Sequence, residues 1–339
     1  MTIQEVWDRA RDVMGPKCRV CPECDGRACR GEIPGVGGIG SASSFTVCRE
    51  YLSRVRLLMD LVYEPGEIDT SVELFGRRFE VPFFMAPIGG MGSNYNGYLT
   101  DEEFADISVR GMAECGSLAF TPDAFYDTLY DLQLPVIKAA GGLAIPTVKP
   151  WALPKLLGRI RQAEEVGAIA VACDIDSCGN LLLKKAGKPV YPLSRETMAE
   201  IVNSTPLPFI PKGIMTPEAA VRCAEAGCYG IVVSNHGGRV LEDTPAPCSM
   251  LPEIRRAVGG RLKIFVDGGI RSGRDVFKCL ALGADAVLIG RPYAIAAHGG
   301  GREGVVLYSQ KLLAELRDAM VMTGCRSLSD IDGGKIRIG

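Results

Sequence analysis

The run Ser234-Asn235-His236-Gly237-Gly238-Arg239 brings together side chains that can move a proton and bind an anion. His236 is one of only two histidines in the chain, and imidazole is the side chain best suited to proton transfer near neutral pH. Arg239 can grip a carboxylate through two parallel hydrogen bonds. Because the run follows the apolar segment 229–233, we predict a base and an anion clamp at the end of a buried strand.

Eight short apolar segments alternate with amphipathic stretches from about residue 80 onward. They are too continuous to be half-exposed, which is typical of parallel strands buried on both faces. The predicted strands are 81–86, 117–121, 143–148, 168–174, 209–212, 229–233, 263–266 and 286–289. The helices predicted between them include 101–114, 151–166, 217–226 and 272–282. Eight βα units predict an α/β fold of the (β/α)8 TIM-barrel class. A doubly wound sheet is the alternative, but no GxGxxG motif follows the first strand.

The first part of the chain differs in character from the barrel. Residues 1–75 are predicted to form a helical and cysteine-rich extension that packs on the barrel of residues 76–339. Helices are expected at 3–14 and 49–61.

Polar residues and glycines stand at the ends of the predicted strands, where the ligand-binding residues of a TIM barrel collect. Gly269, Arg271, Gly290 and Arg291 follow the last two strands and have the character of a phosphate cradle. Their alternative role is in tight turns and surface salt bridges.

Two charged residues end buried strands. Lys212 could form a Schiff base, supply a fixed positive charge beside an electron-rich ring, or make a salt bridge at the barrel mouth. Asp174 could orient His236, or act as a helix cap or structural ion pair.

Three segments, 229–242, 264–277 and 281–293, resemble the FMN-dependent α-hydroxy-acid oxidising family, which includes glycolate and lactate oxidases. The signatures are Ser-Asn-His-Gly-Gly-Arg, Asp-Gly-Gly-Ile-Arg-Ser-Gly and Ile-Gly-Arg-Pro, in the order and spacing of the family. The resemblance is strong from about 205 to 330, weaker from 78 to 205 and almost absent before that. It implies a (β/α)8 barrel that binds FMN and oxidises a small 2-hydroxy acid to a 2-oxo acid, or runs in reverse.

The resemblance also implies roles for individual residues. His236 would be the base, Asp174 would stabilise its imidazolium, and Arg239 would bind the substrate carboxylate. Lys212 would lie beside the flavin where negative charge develops on reduction. The flavin ring, ribityl chain and phosphate would be held by Pro87, Ile88, Gly89, Ser234, Asp267, Gly269, Arg271, Gly290 and Arg291.

The chain departs from the family in the substrate pocket. Two substrate-binding tyrosines of the family have no counterpart: no tyrosine precedes Tyr51, and the third predicted strand runs into Lys149-Pro150-Trp151. Lys149 is therefore a candidate substrate-binding residue. The departure leaves open an FMN-dependent reductase or dehydrogenase with a different substrate.

Four cysteines, Cys18, Cys21, Cys24 and Cys29, are separated by two, two and four residues. Such spacing can hold an iron–sulfur cluster or one zinc ion, although the last gap departs from the ferredoxin run. The alternatives are reduced thiols or a reversible disulfide. A cluster near the flavin would carry electrons away and would argue against oxygen as the acceptor.

Composition limits the partners and the compartment. A net charge of −2 without a basic stripe gives no support for nucleic acid or an anionic membrane as a partner. The first residues lack the apolar segment of a signal peptide, and thirteen cysteines cannot all pair within the chain, so a cytoplasmic protein with reduced thiols is expected. A homo-oligomer, a tetramer by family analogy, is expected too. Two further hypotheses stay open: a flavin-free phosphosugar barrel that uses Lys212, and a redox sensor that responds through the four cysteines.

Overall fold

A computed structural model describes all 339 residues and shows twelve helices and twelve strands. The helices are α1 (Ile3–Met14), α2 (Ser43–Arg54), α3 (Met91–Asn94), α4 (Asp101–Glu114), α5 (Thr128–Ala139), α6 (Leu153–Glu165), α7 (Leu181–Lys185), α8 (Arg195–Asn203), α9 (Pro217–Glu225), α10 (Pro247–Val258), α11 (Gly273–Ala281) and α12 (Arg291–Met322). The strands are β1 (Val55–Leu57), β2 (Val72–Leu74), β3 (Arg77–Phe79), β4 (Phe83–Met85), β5 (Ala119–Thr121), β6 (Ala144–Val148), β7 (Val171–Asp174), β8 (Phe209–Ile214), β9 (Gly230–Val233), β10 (Lys263–Asp267), β11 (Ala286–Ile289) and β12 (Ile336–Ile338).

Strands β4 to β11 form a closed parallel barrel in chain order, and β11 pairs with β4 to complete it. Each of the eight strands predicted from the sequence is present, which confirms the TIM-barrel fold. The barrel is filled by inward-facing side chains such as Phe84, Phe120 and Phe265, which form an apolar cluster separate from the larger one between strands and helices. The interior is therefore a packed core, and ligands are left to the barrel ends.

Helix boundaries follow the local signals in the sequence. Thr216 caps α9 and is followed by a proline, and Ser272 caps α11, as predicted. The helix predicted at 49–61 is wrong in its bounds, because α2 ends at Arg54 and β1 follows. The reason is tertiary: β1 pairs antiparallel with β12 at the other end of the chain.

The two ends of the barrel are covered by different segments. The β2–β3 hairpin closes the amino end, where Leu74 and Phe79 join the apolar cluster of the barrel interior. The predicted division at residue 75 falls within this hairpin. At the carboxyl end, α1 packs against α12, with the rings of Trp7 and Tyr308 5.5 Å apart. None of the helices has the length and apolar character needed to cross a membrane.

Candidate active site

The carboxyl ends of the barrel strands surround a cavity of about 1180 Å³, a volume that includes its open mouth. The predicted catalytic, substrate-binding and cofactor-binding residues, with one exception, line this cavity. They are Pro87, Ile88, Gly89, Lys149, Asp174, Lys212, His236, Arg239, Asp267, Gly269, Arg271, Gly290 and Arg291. The exception is Ser234, a buried residue whose Oγ accepts a hydrogen bond from the backbone N–H of His236 at 3.0 Å.

The partner of His236 is Asp176. Nδ1 of His236 lies 2.8 Å from Oδ1 of Asp176 and 4.0 Å from Oδ1 of Asp174. The sequence predicts Asp174 in this role, and the structure adds Asp176 as the nearer carboxylate. Because the chain turns into a 3-10 helix, Ile175–Gly179, directly after β7, the second aspartate reaches the imidazole. A carboxylate that accepts the Nδ1 proton leaves Nε2 free to accept another.

The backbone at His236 is held in an uncommon conformation. Its φ of +56° lies in the left-handed region, which residues other than glycine adopt rarely. Gly238 follows with a φ of +74°, and a Cβ there would lie 2.5 Å from the backbone nitrogen of Phe45 on α2. Such strain persists where the surrounding structure enforces it, and it is concentrated at functional sites.

Asp174 is buried between two lysines. Its Oδ2 accepts a hydrogen bond from Nζ of Lys149 at 2.7 Å, and its Oδ1 lies 3.0 Å from Nζ of Lys212. Burial alone would raise the pKa of Asp174, but Lys149, Lys212 and His236 outweigh it and hold the pKa well below its usual range. Asp174 therefore stays ionised and fixes both ammonium groups in the cavity wall.

Lys212 remains charged. Burial would lower its pKa, but Asp174, Asp176 and Asp267 together raise the pKa above its usual value. A lysine must lose its proton before it can attack a carbonyl carbon. The environment of Lys212 therefore favours a fixed positive charge over a Schiff base.

The cluster of Asp174, Asp176 and His236 also has the spacing of a metal site, since one ligand atom of each lies within 4.8 Å of the others. However, two ammonium groups already neutralise Asp174, and Asp176 contacts the imidazole. A divalent cation would have to displace these ion pairs, so we interpret the cluster as a set of groups for proton transfer.

Arg239 is positioned by the extension. Its Nη1 donates to the carbonyl oxygens of Gly35 and Gly37 at 2.6 and 3.0 Å, and its Nη2 donates to Oδ1 of Asn94 at 3.3 Å. Burial, followed by the nearby Arg291, lowers the pKa of Arg239 to about 10, so the group is charged at neutral pH. Because guanidinium has five N–H donors, Nε–H and one Nη2–H remain as a fork for a carboxylate.

The two arginines of the predicted phosphate cradle also contact the extension. Nε of Arg291 donates to the carbonyl oxygen of Val36 at 2.7 Å, and the Arg291 guanidinium stacks 3.8 Å from the centre of the Phe45 ring. Nε and Nη2 of Arg271 both donate to the carbonyl oxygen of Cys24. Because both arginines contact the extension and also line the cavity, they connect the extension to the active site.

The sequence did not predict several residues of the cavity wall. They include Tyr95 and Tyr126, and the hydroxyl of Tyr126 donates to Oδ2 of Asp101 at 2.8 Å. Asp176, which contacts His236 from behind the wall, was not predicted either. Asp123 accepts hydrogen bonds from the Lys149 backbone N–H and the Trp151 indole N–H, which fixes the end of β6. All of them lie beyond the carboxyl ends of barrel strands, so a search of whole βα loops rather than strand ends would find them.

A closed barrel with a histidine base, a fixed lysine charge and an arginine fork around one cavity defines an enzyme of the TIM-barrel class that acts on an anionic substrate. The chain belongs to the FMN-dependent dehydrogenase family, whose model matches residues 36–180 and 188–338. Residues 1–35, with the four cysteines, lie outside that match.

Similar proteins oxidise 2-hydroxy acids. The chain is 32% identical over 351 residues to 4-hydroxymandelate oxidase of Amycolatopsis orientalis, which covers 89% of this chain and 94% of that protein. It is 29% identical over 323 residues to a peroxisomal (S)-2-hydroxyacid oxidase of Arabidopsis thaliana, with 85% of each chain covered. A solved structure of a mandelate oxidase mutant with (S)-mandelic acid has a TM-score of 0.81 at 29% identity and covers 100% of this chain and 98% of that one. The predicted family, cofactor and class of reaction are confirmed: the chain is an FMN-dependent oxidoreductase.

The residues of the cavity fit FMN. Oδ1 of Asp267 is buried without a hydrogen-bond partner on the cavity wall, where it can accept a bond from a ribityl hydroxyl. Burial raises the pKa of Asp267 in spite of the nearby Lys212. Arg271 and Arg291 give the rim the positive charge that a phosphate requires.

Proposed function

We propose that His236 is the base and Arg239 the carboxylate clamp in the oxidation of a small 2-hydroxy acid to a 2-oxo acid. The observation that carries this proposal is the 2.8 Å contact between His236 and Asp176, on the wall of the cavity that Arg239 also lines. The reaction needs a base with a free nitrogen and a group that binds the carboxylate. His236 supplies the first through Nε2, and Arg239 supplies the second through its two free N–H groups.

The residues divide the reaction between them. The Nε–H and Nη2–H of Arg239 bind the substrate carboxylate, and Lys149 adds a second positive charge at the cavity wall. Nε2 of His236 takes the proton of the substrate, and Asp176 stabilises the imidazolium that forms. FMN, when bound, accepts the electron pair, and Lys212 supplies fixed positive charge for the negative charge that develops. Asp174 holds both lysines in place.

The cofactor contacts follow from the same cavity. We assign the flavin ring to the Pro87–Gly89 segment and the ribityl chain to Ser234 and Asp267. The phosphate is assigned to the last two strand ends, with Gly269, Arg271, Gly290 and Arg291.

The proposal is tested by anaerobic titration of the flavin absorbance with a panel of 2-hydroxy acids. We expect at least one acid to bleach the flavin bands, because hydroxyl and carboxylate then meet His236 and Arg239 together. The matched control is the same carbon skeleton without the hydroxyl group, which should bind and leave the bands unbleached. A flavin that dithionite reduces but no acid in the panel reduces would contradict the proposed substrate class.

Asp176→Asn should slow substrate-driven flavin reduction by about 10²-fold or more, because the imidazolium loses its charged partner. The apparent KM should change little, since Arg239 is untouched. Stopped-flow absorbance measures both quantities. Asp106→Asn, a half-buried aspartate on α4 that pairs with Arg110 far from the cavity, is the matched control and should behave like the wild type. A wild-type rate for Asp176→Asn would return the positioning role to Asp174.

We also propose that the protein is cytoplasmic and forms a homo-oligomer, a tetramer by family analogy. All thirteen cysteines are unpaired, which supports a reducing compartment. Met59, Leu61 and Val62 are exposed side by side, and an apolar patch of this kind supports association between copies of the chain. Sedimentation velocity measures the oligomeric state.

A further inference from the structure

The four cysteines of the extension line one cavity. Cys18, Cys21, Cys24 and Cys29 line a second cavity of about 460 Å³, a volume that includes its open mouth, next to the larger cavity at the barrel mouth. Its other walls are mostly apolar and include Met14 at the end of α1, Val36 and Ile295.

The four thiols are suited to a ligand larger than one ion. Zn–S bonds of about 2.3 Å would bring four sulfurs to within about 4 Å of one another. No three of these cysteine sulfurs lie within 4.8 Å of one another. All four line the same cavity, and none is in a disulfide. A cubane cluster places iron and sulfide between its thiolates and therefore needs thiolates that lie farther apart. The first two gaps also match the bacterial ferredoxin run.

Charge and hydrogen bonding in the cavity also favour an iron–sulfur cluster. An oxidised [4Fe–4S] core carries two positive charges, so that four thiolate ligands give the whole a net charge of −2. Arg291 lines the cavity, and Nη2 of Arg271 lies 3.5 Å from Sγ of Cys24. The backbone N–H of Val20 donates to Sγ of Cys18 at 3.4 Å. Hydrogen bonds to the sulfurs and nearby cations are what stabilise such a cluster in a protein.

We propose that Cys18, Cys21, Cys24 and Cys29 ligate a [4Fe–4S] cluster that takes electrons from the flavin. The cysteine cavity and the flavin cavity share two wall residues, Tyr95 and Arg291. Arg291 is the residue assigned above to the FMN phosphate, so one layer of side chains separates the two groups.

The electron balance defines the acceptor. Oxidation of a 2-hydroxy acid to a 2-oxo acid releases two electrons and two protons. Two one-electron transfers through the cluster, with the protons released to water, would deliver the electrons to two molecules of a one-electron carrier protein such as a cytochrome. The relay rests on the proposed substrate oxidation, whereas the presence of the cluster does not.

The cluster is tested on the full chain purified without oxygen. We expect about four iron atoms and about four sulfides per chain, with broad absorbance under the flavin bands. Reduction with dithionite should give the electron paramagnetic resonance signal of a reduced cluster. Protein with one zinc and no sulfide, or with four free thiols and no metal, would overturn the proposal. A Cys18–Cys29 segment closed by disulfides under the same conditions would overturn it as well.

A pair of variants separates ligation from folding. Cys21→Ser should lose iron and sulfide and keep bound FMN, because the flavin cavity does not include Cys21. Cys115→Ser, a partly buried cysteine at the end of α4, should keep iron, sulfide and FMN. Equal iron content in the two variants would remove Cys21 from the ligand set.

The relay is tested separately by adding substrate in place of dithionite. The cluster signal should then appear in the wild type, and Cys21→Ser should still bleach its flavin with substrate but give no cluster signal. Iron and sulfide without any substrate-driven signal, in a protein whose flavin the substrate does bleach, would overturn the relay. Iron and sulfide in a protein whose flavin no substrate bleaches would instead contradict the proposed substrate oxidation.

Discussion

His236→Asn is expected to bind FMN normally and to lose substrate-driven flavin reduction, with a rate lower by about 10²- to 10⁴-fold. Asparagine is the replacement of choice because it tolerates the left-handed backbone at this position, where φ is +56°. The loss therefore reports the missing Nε2 and not a rearranged loop. Stopped-flow absorbance under anaerobic conditions measures the rate, and flavin content per chain confirms that the cavity is intact.

The second histidine of the chain supplies the control. His298 is buried in α12, its Nδ1 lies 2.7 Å from the carbonyl oxygen of Ala294, and it does not line the cavity. His298→Asn should reduce its flavin at the wild-type rate. A fast reaction in His236→Asn would show that another group takes the proton and would remove the proposed base.

Arg239→Lys is expected to raise the apparent KM for the hydroxy acid by about 10- to 100-fold, with a smaller effect on the maximal rate of flavin reduction. An ammonium is a point charge and cannot replace the fork of Nε–H and Nη2–H. It would also give up hydrogen bonds to Gly35 and Gly37, which loosens the loop that covers the cavity. Steady-state or pre-steady-state titration with the acid measures the effect.

Two comparisons make this prediction specific. Arg195→Lys, an exposed residue at the start of α8, should leave the KM unchanged. A 2-hydroxy amide, which lacks the carboxylate charge, should distinguish far less between the wild type and Arg239→Lys than the acid does. An unchanged KM for the acid in Arg239→Lys would mean that the carboxylate binds elsewhere, with Lys149 as the next candidate among the cations of the wall.

Both predictions depend on the extension as much as on the barrel. The loop around residues 35–37 holds Arg239 and Arg291 through backbone carbonyl oxygens, and α2 contacts the backbone after His236. The extension therefore contributes to the active site, and the cysteines that precede this loop line a cavity that shares Tyr95 and Arg291 with the active-site cavity.

The sequence by itself determined the barrel and thirteen of the 33 residues that line the cavity. Strands buried on both faces must be continuous and apolar, so the eight segments could be found without a partner in view. Parallel strands end at the same edge, so His236, Lys212 and Asp267 could be placed at one site from their positions at strand ends. The strand ends and signature motifs also identified the family and its flavin.

Tertiary structure decided the contacts that depend on a change of chain direction or on distant segments. Asp174 and Asp176 are two residues apart, and only the 3-10 turn after β7 selects which of them meets His236. Helix α2 ends where β1 begins, because the backbone groups of β1 pair with those of β12 at the other end of the chain. The cysteine spacing left a metal, a cluster and free thiols equally open. Tyr95, Arg291 and Ile295, which are distant in sequence from the four cysteines, complete the wall of the cavity that the four thiols share, next to the active-site cavity.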